Sequence, residues 1–139
     1  MDDVVGVVAS GRTLAEEQGI TQEIGDAIAR LAEQELEAGR AEAARTILDG
    51  LVVTNHRDAW AWALLSRAHR RLGQPLAARF CAEVAARLAP ADPAVRLARA
   101  EALLALPDGR GAARGELEAI SADVGVGSRA QALLAALPE

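Results

Sequence analysis

The stretch Glu37-Ala38-Gly39-Arg40-Ala41-Glu42-Ala43-Ala44-Arg45 recurs 34 residues later as Arg71-Leu72-Gly73-Gln74-Pro75-Leu76-Ala77-Ala78-Arg79. In both copies a turn glycine is followed at the same distance by a small alanine. A repeat of this length is typical of stacked helical hairpins, whose small residues let two antiparallel helices approach closely. The stretch therefore predicts an all-helical scaffold, and this architecture favours a binding function over a catalytic one.

The sequence contains three copies of the tetratricopeptide pattern, which has this repeat length. The second copy is the clearest and has Trp62, Leu65, Ser66, His69, Ala78, Ala82 and Pro90 at the pattern positions. The first copy keeps Ile28, Leu31, Ala32, Gly39, Ala44 and Leu48. The third fits best at an offset of about 32 residues, shorter than the usual period, with Leu97, Ala98, Ala100 and Leu104 matching Leu65, Ser66, Ala68 and Leu72.

The predicted fold is an all-α tetratricopeptide-repeat α-solenoid that forms a single domain over residues 1–139. Capping and breaking residues set its elements: Thr21 and Asp92 can cap helices, Pro90 stops one, and Ser128 can cap the last. We expect an N-terminal helical segment (1–20), hairpins at 22–56, 58–90 and 93–122, and a C-terminal capping helix at 128–139.

Composition limits the class of protein. The net charge of -5 argues against nucleic-acid binding, which needs a concentrated basic surface. The single cysteine, Cys81, excludes an internal disulfide and fits a reducing compartment, so the sequence predicts a cytoplasmic protein. No stretch approaches the length of about 20 apolar residues that a membrane helix needs, so we expect no membrane insertion.

No pattern in the sequence predicts an enzyme, a cofactor or a metal site. Without lysine, the chain cannot form a Walker loop, and the glycines of 109–114 fit a turn between hairpins better than a dinucleotide fingerprint. His56 and His69 lack further ligands at metal-binding spacing. Cys81 reads as a small hydrophobic residue within a helix.

The first helix of each hairpin should line the concave face of such a solenoid. We expect Trp60 and Leu36 to give apolar contact to an extended client, and three arginines to hold its polar groups. The alternative is that these arginines are simply a solvated helix face. The predicted groove residues are Ala29, Glu33, Leu36, Trp60, Ala63, Arg67, Arg70, Val95, Arg99 and Ala102.

The chain resembles the class II chaperones of type III secretion, the tetratricopeptide chaperones of translocator proteins. The resemblance covers roughly residues 8 to 122 and rests on Ala9-Ser10-Gly11-Arg12-Thr13-Leu14, Leu72-Gly73-Gln74, Pro93 and Ala100-Glu101-Ala102-Leu103-Leu104. It implies a bacterial chaperone that binds an extended segment of a hydrophobic translocator-like client and keeps it soluble before secretion. The family's groove aromatics are replaced here, at the positions Ala29, Glu33, Leu36, Ala41 and Ala82.

Two further interpretations stay open at this point. A general tetratricopeptide adaptor in another protein assembly is the alternative function, although the clamp of heat-shock-protein adaptors is missing, with Ala29, Glu33 and Leu64 at its expected polar positions. The apolar residues Val4, Val5, Val7 and Val8 predict a homodimer formed through the N-terminal segment, as in the family that the chain resembles.

Overall fold

The computed structural model describes residues 13–138, and within that range every element of regular structure is a helix. In chain order the helices are α1 (Leu14–Glu17), α2 (Gln22–Glu37), α3 (Ala41–Thr54), α4 (Ala59–Arg71), α5 (Pro75–Leu88), α6 (Pro93–Leu104), α7 (Arg110–Ile120) and α8 (Gly127–Ala136). The all-α prediction is confirmed. The valines at positions 4, 5, 7 and 8, on which the dimer prediction rests, lie outside the described residues.

Side-chain caps fix where the helices begin. Thr21 Oγ1 accepts a hydrogen bond from the Ile24 amide at 3.2 Å, as the sequence predicted. Asp92 Oδ1 accepts one from the Ala94 amide at 2.9 Å, and Pro93 takes the first helical position. Asp58 caps α4 in the same way. These caps satisfy amides that have no partner inside the helix.

The helices form three antiparallel hairpins, α2 with α3, α4 with α5 and α6 with α7. Gly39 and Gly73 close the first two turns with φ of 83° and 72°, a conformation that costs glycine little. The first helices of successive hairpins also pack on one another, α2 on α4 and α4 on α6, and α8 packs on α7. The solenoid with a C-terminal capping helix is therefore present.

The third repeat has a different register from the predicted one. The helices α4 and α6 begin at Ala59 and Pro93, and each follows its aspartate cap directly. These starting points are a full repeat of about 34 residues apart. The shorter offset was wrong because it matched leucines by type, whereas the caps and helix starts keep the regular period.

The beginning of the last helix also differs from the prediction. Ser128 does not cap it; the carboxylate of Asp123 accepts hydrogen bonds from the amides of Gly125 and Val126, and α8 begins at Gly127. The helix then buries Ala130 against Leu117 and Ile120 of α7. This packing brings the start of α8 to the side of the solenoid that carries the first helices.

The core consists mainly of alanine and leucine. Ala78 is fully buried, and its carbonyl oxygen accepts a hydrogen bond from Ser66 Oγ at 2.7 Å, which ties α5 to α4. Cys81 of α5 is also buried, and burial, with a smaller contribution from Asp49, raises the pKa of its thiol to about 12. Among the described residues, no helix combines the length and the hydropathy needed to cross a membrane.

Candidate functional site: the inner cleft

A cleft of about 520 Å³ opens on the side of the solenoid that carries the first helices of the second and third hairpins. We call it the inner cleft. The helix α4 forms one wall, α6 forms the other, and the start of α8 closes one end. Its lining residues are Trp60, Ala63, Arg67, Arg70, Arg71, Ala94, Leu97, Ala98, Glu101, Val126 and Arg129.

Helical periodicity explains why these side chains meet. Residues three or four apart share one face of a helix, so Trp60, Ala63 and Arg67 follow one another along α4. The same spacing on α6 places Ala94, Leu97, Ala98 and Glu101 on the facing wall. The two walls are related by the regular repeat, since Ala94 and Glu101 are the repeat equivalents of Trp60 and Arg67. The cleft is therefore built from equivalent faces of two successive hairpins.

Ion pairs connect the walls of the inner cleft. Arg70 Nη2 donates to Glu101 Oε2 at 2.9 Å, and Arg129 Nη2 lies 3.6 Å from the same oxygen. Glu101 thereby joins α4, α6 and α8, with only 9% of its side chain exposed. Arg67 Nη1 lies 3.5 Å from Glu33 Oε2 of the first hairpin. Each of these pairs crosses from one hairpin or helix to the next.

Arg71 has a structural contact of a different kind. Its Nη1 donates to the backbone carbonyl of Leu36 at 2.7 Å, near the end of α2, where carbonyls have no partner inside the helix. A cation at a helix C-terminus is also favoured by the helix dipole. Arg71 therefore fixes the position of the first hairpin against the second.

The lining of the inner cleft is positively charged although the chain is acidic. It contains Arg67, Arg70, Arg71 and Arg129 but the single carboxylate Glu101, whereas the whole chain has a net charge of -5. The floor between these groups is apolar, with Ala63, Ala98 and Leu97. The arrangement can hold a ligand that has both an apolar surface and an anionic group.

The structure brings together only part of the predicted groove. Trp60, Ala63, Arg67 and Arg70 line the inner cleft, and Glu33 contacts it through Arg67. Four other predicted residues lie in the core, because these small and aliphatic side chains pack against neighbouring helices of the solenoid. Their exposed fractions are 1% for Ala29, 0% for Leu36, 0% for Val95 and 1% for Ala102.

Arg99 lies in a different place from Arg67 and Arg70. Its Nε donates to Glu83 of α5 at 2.9 Å, and its Nη1 donates to Glu116 of α7 at 3.1 Å. Arg96 donates to the same Glu116 at 3.0 Å. We call these four residues the outer network, because they connect α6 to the second helices of two hairpins. The predicted grouping of Arg99 with Arg67 and Arg70 is wrong, and its cause is the shortened register of the third repeat.

Sequence reasoning missed seven residues of the inner cleft. Four of them, on α6, could have been found by adding the regular repeat to Trp60, Ala63, Leu64 and Arg67. The signal for that register was the pair of caps, Asp58 and Asp92. The seven are Arg71, Ala94, Leu97, Ala98, Glu101, Val126 and Arg129.

Within residues 13–138, no three side chains of His, Cys, Asp or Glu are grouped so that they could hold a metal ion. The two histidines have local roles. His69 Nδ1 shares a hydrogen bond with Gln74 Oε1 at 2.7 Å, and the carbonyl of His56 accepts one from Trp62 Nε1 at 2.9 Å. The first contact spans the turn of the second hairpin, and the second holds the segment before α4 against that helix.

No family model matches this chain, and no curated protein has significant sequence similarity to it. Solved structures of low identity do match. A T3SS complex from Aeromonas hydrophila has a TM-score of 0.79 at 21% identity, covering 97% of this chain and 94% of that chain. The type III secretion translocator chaperone SycD of Yersinia enterocolitica has a TM-score of 0.75 at 22% identity, covering 90% of this chain and 98% of that chain.

SycD in complex with a peptide of the translocator YopD also matches, with a TM-score of 0.68 at 21% identity, covering 84% of this chain and 94% of that chain. The protein therefore has the tetratricopeptide-type helical fold of the type III secretion translocator chaperones. These neighbours come from the family that its sequence motifs resemble.

Proposed function

We propose that this protein is a type III secretion chaperone that binds an extended segment of a hydrophobic, translocator-like client in its inner cleft. The binding keeps the client soluble in the bacterial cytoplasm before secretion. The observation that carries the proposal is the inner cleft itself, open along the first helices of two hairpins, in a chain with the fold of SycD. SycD has been solved with a peptide of the translocator YopD.

The chemistry of the lining supports binding rather than reaction. Aliphatic, aromatic and guanidinium groups make up most of it, and these groups hold a peptide by apolar burial and by hydrogen bonds to carboxylates or backbone carbonyls. An extended peptide presents its side chains on alternate sides, so it can contact the apolar floor and the arginines together. We therefore propose a binding role without catalysis.

The strength of client binding depends on which partner supplies the bulky groups. Ala63, Ala94 and Ala98 give the cleft little apolar area of their own, and Trp60 is its one aromatic lining residue. Because the gain from apolar burial scales with the area removed from water, a client with large side chains should bind better than one with small ones. We expect the bound segment to contain leucine, phenylalanine or similar residues.

A general adaptor is the second candidate function, and one surface favours it. Leu76 and Phe80 of α5 are one helical turn apart and are 74% and 64% exposed, on a helix that does not line the inner cleft. Phe80 contacts Trp62 edge to face, with ring centroids 6.3 Å apart. An adaptor that joined two partners would use this patch together with the cleft.

The experiment that tests the chaperone proposal blocks the inner cleft without changing its charge. Ala94→Gln adds bulk at the rim, in the first turn of α6, and Ala119→Gln makes the same change on the exposed face of α7. We expect Ala94→Gln to weaken the binding of a co-expressed translocator by about tenfold, which corresponds to about 1.4 kcal/mol. Ala119→Gln should bind as the wild type does.

Co-purification of tagged chaperone and translocator, with the soluble fraction of the translocator measured in parallel, gives the readout. Circular dichroism checks that both variants keep their helical content. If Ala94→Gln retains the translocator at wild-type affinity, the inner cleft is not the client site. If the Leu76→Ala, Phe80→Ala double variant loses it instead, the adaptor surface is favoured.

A further inference from the structure

The guanidinium groups of the inner cleft outnumber the carboxylates that they contact. Arg70 and Arg129 share Glu101, and Arg67 pairs with Glu33 at the longer distance of 3.5 Å. Arg71 contacts a backbone carbonyl, which has no net charge. Within the described part of the chain, four arginines therefore face two carboxylates, which leaves a local excess of positive charge although the net charge of the whole chain is -5.

Most hydrogen-bond donors of these arginines have no partner among residues 13–138. A guanidinium has five N–H donors, and one nitrogen of each arginine carries the contacts above. The Nε of Arg70 is buried and has no partner among residues 13–138. Arg129 is 56% exposed on its side chain, so it can turn toward a ligand without a change in the fold.

Glu101 shows which chemical group fits here. Its carboxylate lies between Arg70 of α4 and Arg129 of α8. A ligand carboxylate that enters the cleft meets the same two guanidinium groups from the open side. Such charge-assisted hydrogen bonds are stronger than those between neutral groups, and they favour a carboxylate over an amide of the same shape.

We propose that the inner cleft selects client segments in which an aspartate or glutamate is flanked by large apolar residues. The carboxylate binds Arg129 and Arg70, and the flanking side chains lie on Trp60 and Leu97. The inference rests on the proposed peptide binding and adds its specificity. It applies to the inner cleft and not to the outer network, because the two arginines of the outer network are paired with two carboxylates.

Selection from a display library of random linear peptides tests this specificity. We expect the peptides retained by the wild-type protein to be enriched in Asp and Glu beside Leu, Phe or Ile, relative to the unselected library. Arg129→Gln should reduce that enrichment, whereas Arg79→Gln, which removes an exposed arginine from α5, should not. Both variants should keep the wild-type melting midpoint, because both positions are exposed.

A selected peptide then gives the affinity directly. Replacement of its acidic residue by the matching amide should weaken binding to the wild type by about tenfold, and should have little effect on binding to Arg129→Gln. Because exposed charges are screened by salt, the difference between the two peptides should shrink at high ionic strength.

Each outcome has a distinct meaning. Neutral apolar peptides selected without acidic residues would overturn the acid preference and leave the proposed chaperone function in place. Failure to retain any peptide would overturn both. Tighter binding of a fluorescent single-stranded oligonucleotide than of the acidic peptide would also overturn the inference, because the arginines would then select phosphates.

Discussion

The inner cleft and the outer network use the same residue types with opposite results. In the outer network Arg96 and Arg99 meet Glu83 and Glu116 at 2.9 to 3.1 Å, so charges are matched and the contacts are short. In the inner cleft the arginines outnumber the acids, and two of the three ion pairs are 3.5 Å or longer. The first arrangement fastens helices together, and the second leaves binding capacity for a ligand.

The difference arises within one helix. The α6 residues Ala98 and Glu101 face the inner cleft, while Arg96 and Arg99 face the outer network. Successive residues of a helix are rotated by about 100° around its axis, so a shift of two positions moves a side chain to another face. Whether an arginine of this solenoid fastens helices together or can bind a ligand therefore depends on the helix face that it occupies.

The largest effect should come from the carboxylate of the inner cleft. We expect Glu101→Gln to lower the free energy of unfolding by about 3 kcal/mol, because it leaves Arg70 and Arg129 without a countercharge at a site that is mostly buried. Glu116→Gln is the matched change in the outer network and should cost only about 1 kcal/mol, since Arg99 keeps Glu83 and Arg96, which loses its carboxylate, is partly exposed. Urea denaturation measures both. Equal losses would mean that the excess of positive charge has no effect on stability.

The next effect tests the packing between the second and third hairpins. Ala78 is fully buried and packs with Ala82 and Ala102 between the second and third hairpins. Ala78→Leu should destabilise the fold by about 1 to 3 kcal/mol, the usual cost of overpacking. Ala43→Leu, at an exposed position of α3, is the control and should be close to neutral. An unchanged urea midpoint for Ala78→Leu would contradict the close packing of the hairpins.

A smaller effect of opposite sign is expected next to the outer network. Gly115 lies inside α7 beside Glu116, and a Cβ atom added there would meet no atom within 4 Å. Gly115→Ala should therefore stabilise the protein by about 0.5 to 1 kcal/mol through helix propensity. Gly50→Ala, at an equally open position of α3, is the control, and thermal melting measures the stability of both variants. A loss of stability in Gly115→Ala alone would indicate that the outer network needs a flexible α7.

The smallest effect belongs to an exposed pair outside both surfaces. The side-chain hydrogen bond from Arg40 holds the pKa of Glu35 below its ordinary value of 4.5. The stability that this pair contributes is therefore present above that value and is lost as the pH falls through the lowered pKa. Arg40→Gln should reduce the melting temperature slightly at neutral pH and not at all in acid. A difference that persisted in acid would assign the role of Arg40 to packing.

The parts of the fold that depend on local chemistry could be predicted from the sequence. Thr21, Asp92 and the turn glycines act on backbone groups within a few residues, so their positions followed from residue type alone. The register of the third repeat can be set by matching leucines or by matching caps. The match of leucines gives the wrong, shorter offset. That single choice moved Arg99 to the wrong surface.

Two residues of the site depend on tertiary packing. Val126 and Arg129 reach the inner cleft because Ala130 packs on Leu117 and Ile120, and because Asp123 starts α8 where it does. Neither contact has a pattern that a repeat alignment detects. Likewise, Leu36 and Val95 are apolar in the way that groove residues are, and only the packing of neighbouring hairpins shows that they are buried.

Because Cys81 is buried, its rate of alkylation measures how often the second hairpin opens. Because the pKa of its thiol is raised to about 12, almost no thiolate exists in the closed state at neutral pH, and the thiolate is the form that alkylating reagents attack. Modification then proceeds only through molecules in which α5 has separated from its neighbours. The alkylation rate would report that separation in the native chain without a label, and a client that spans α4 and α6 should slow it.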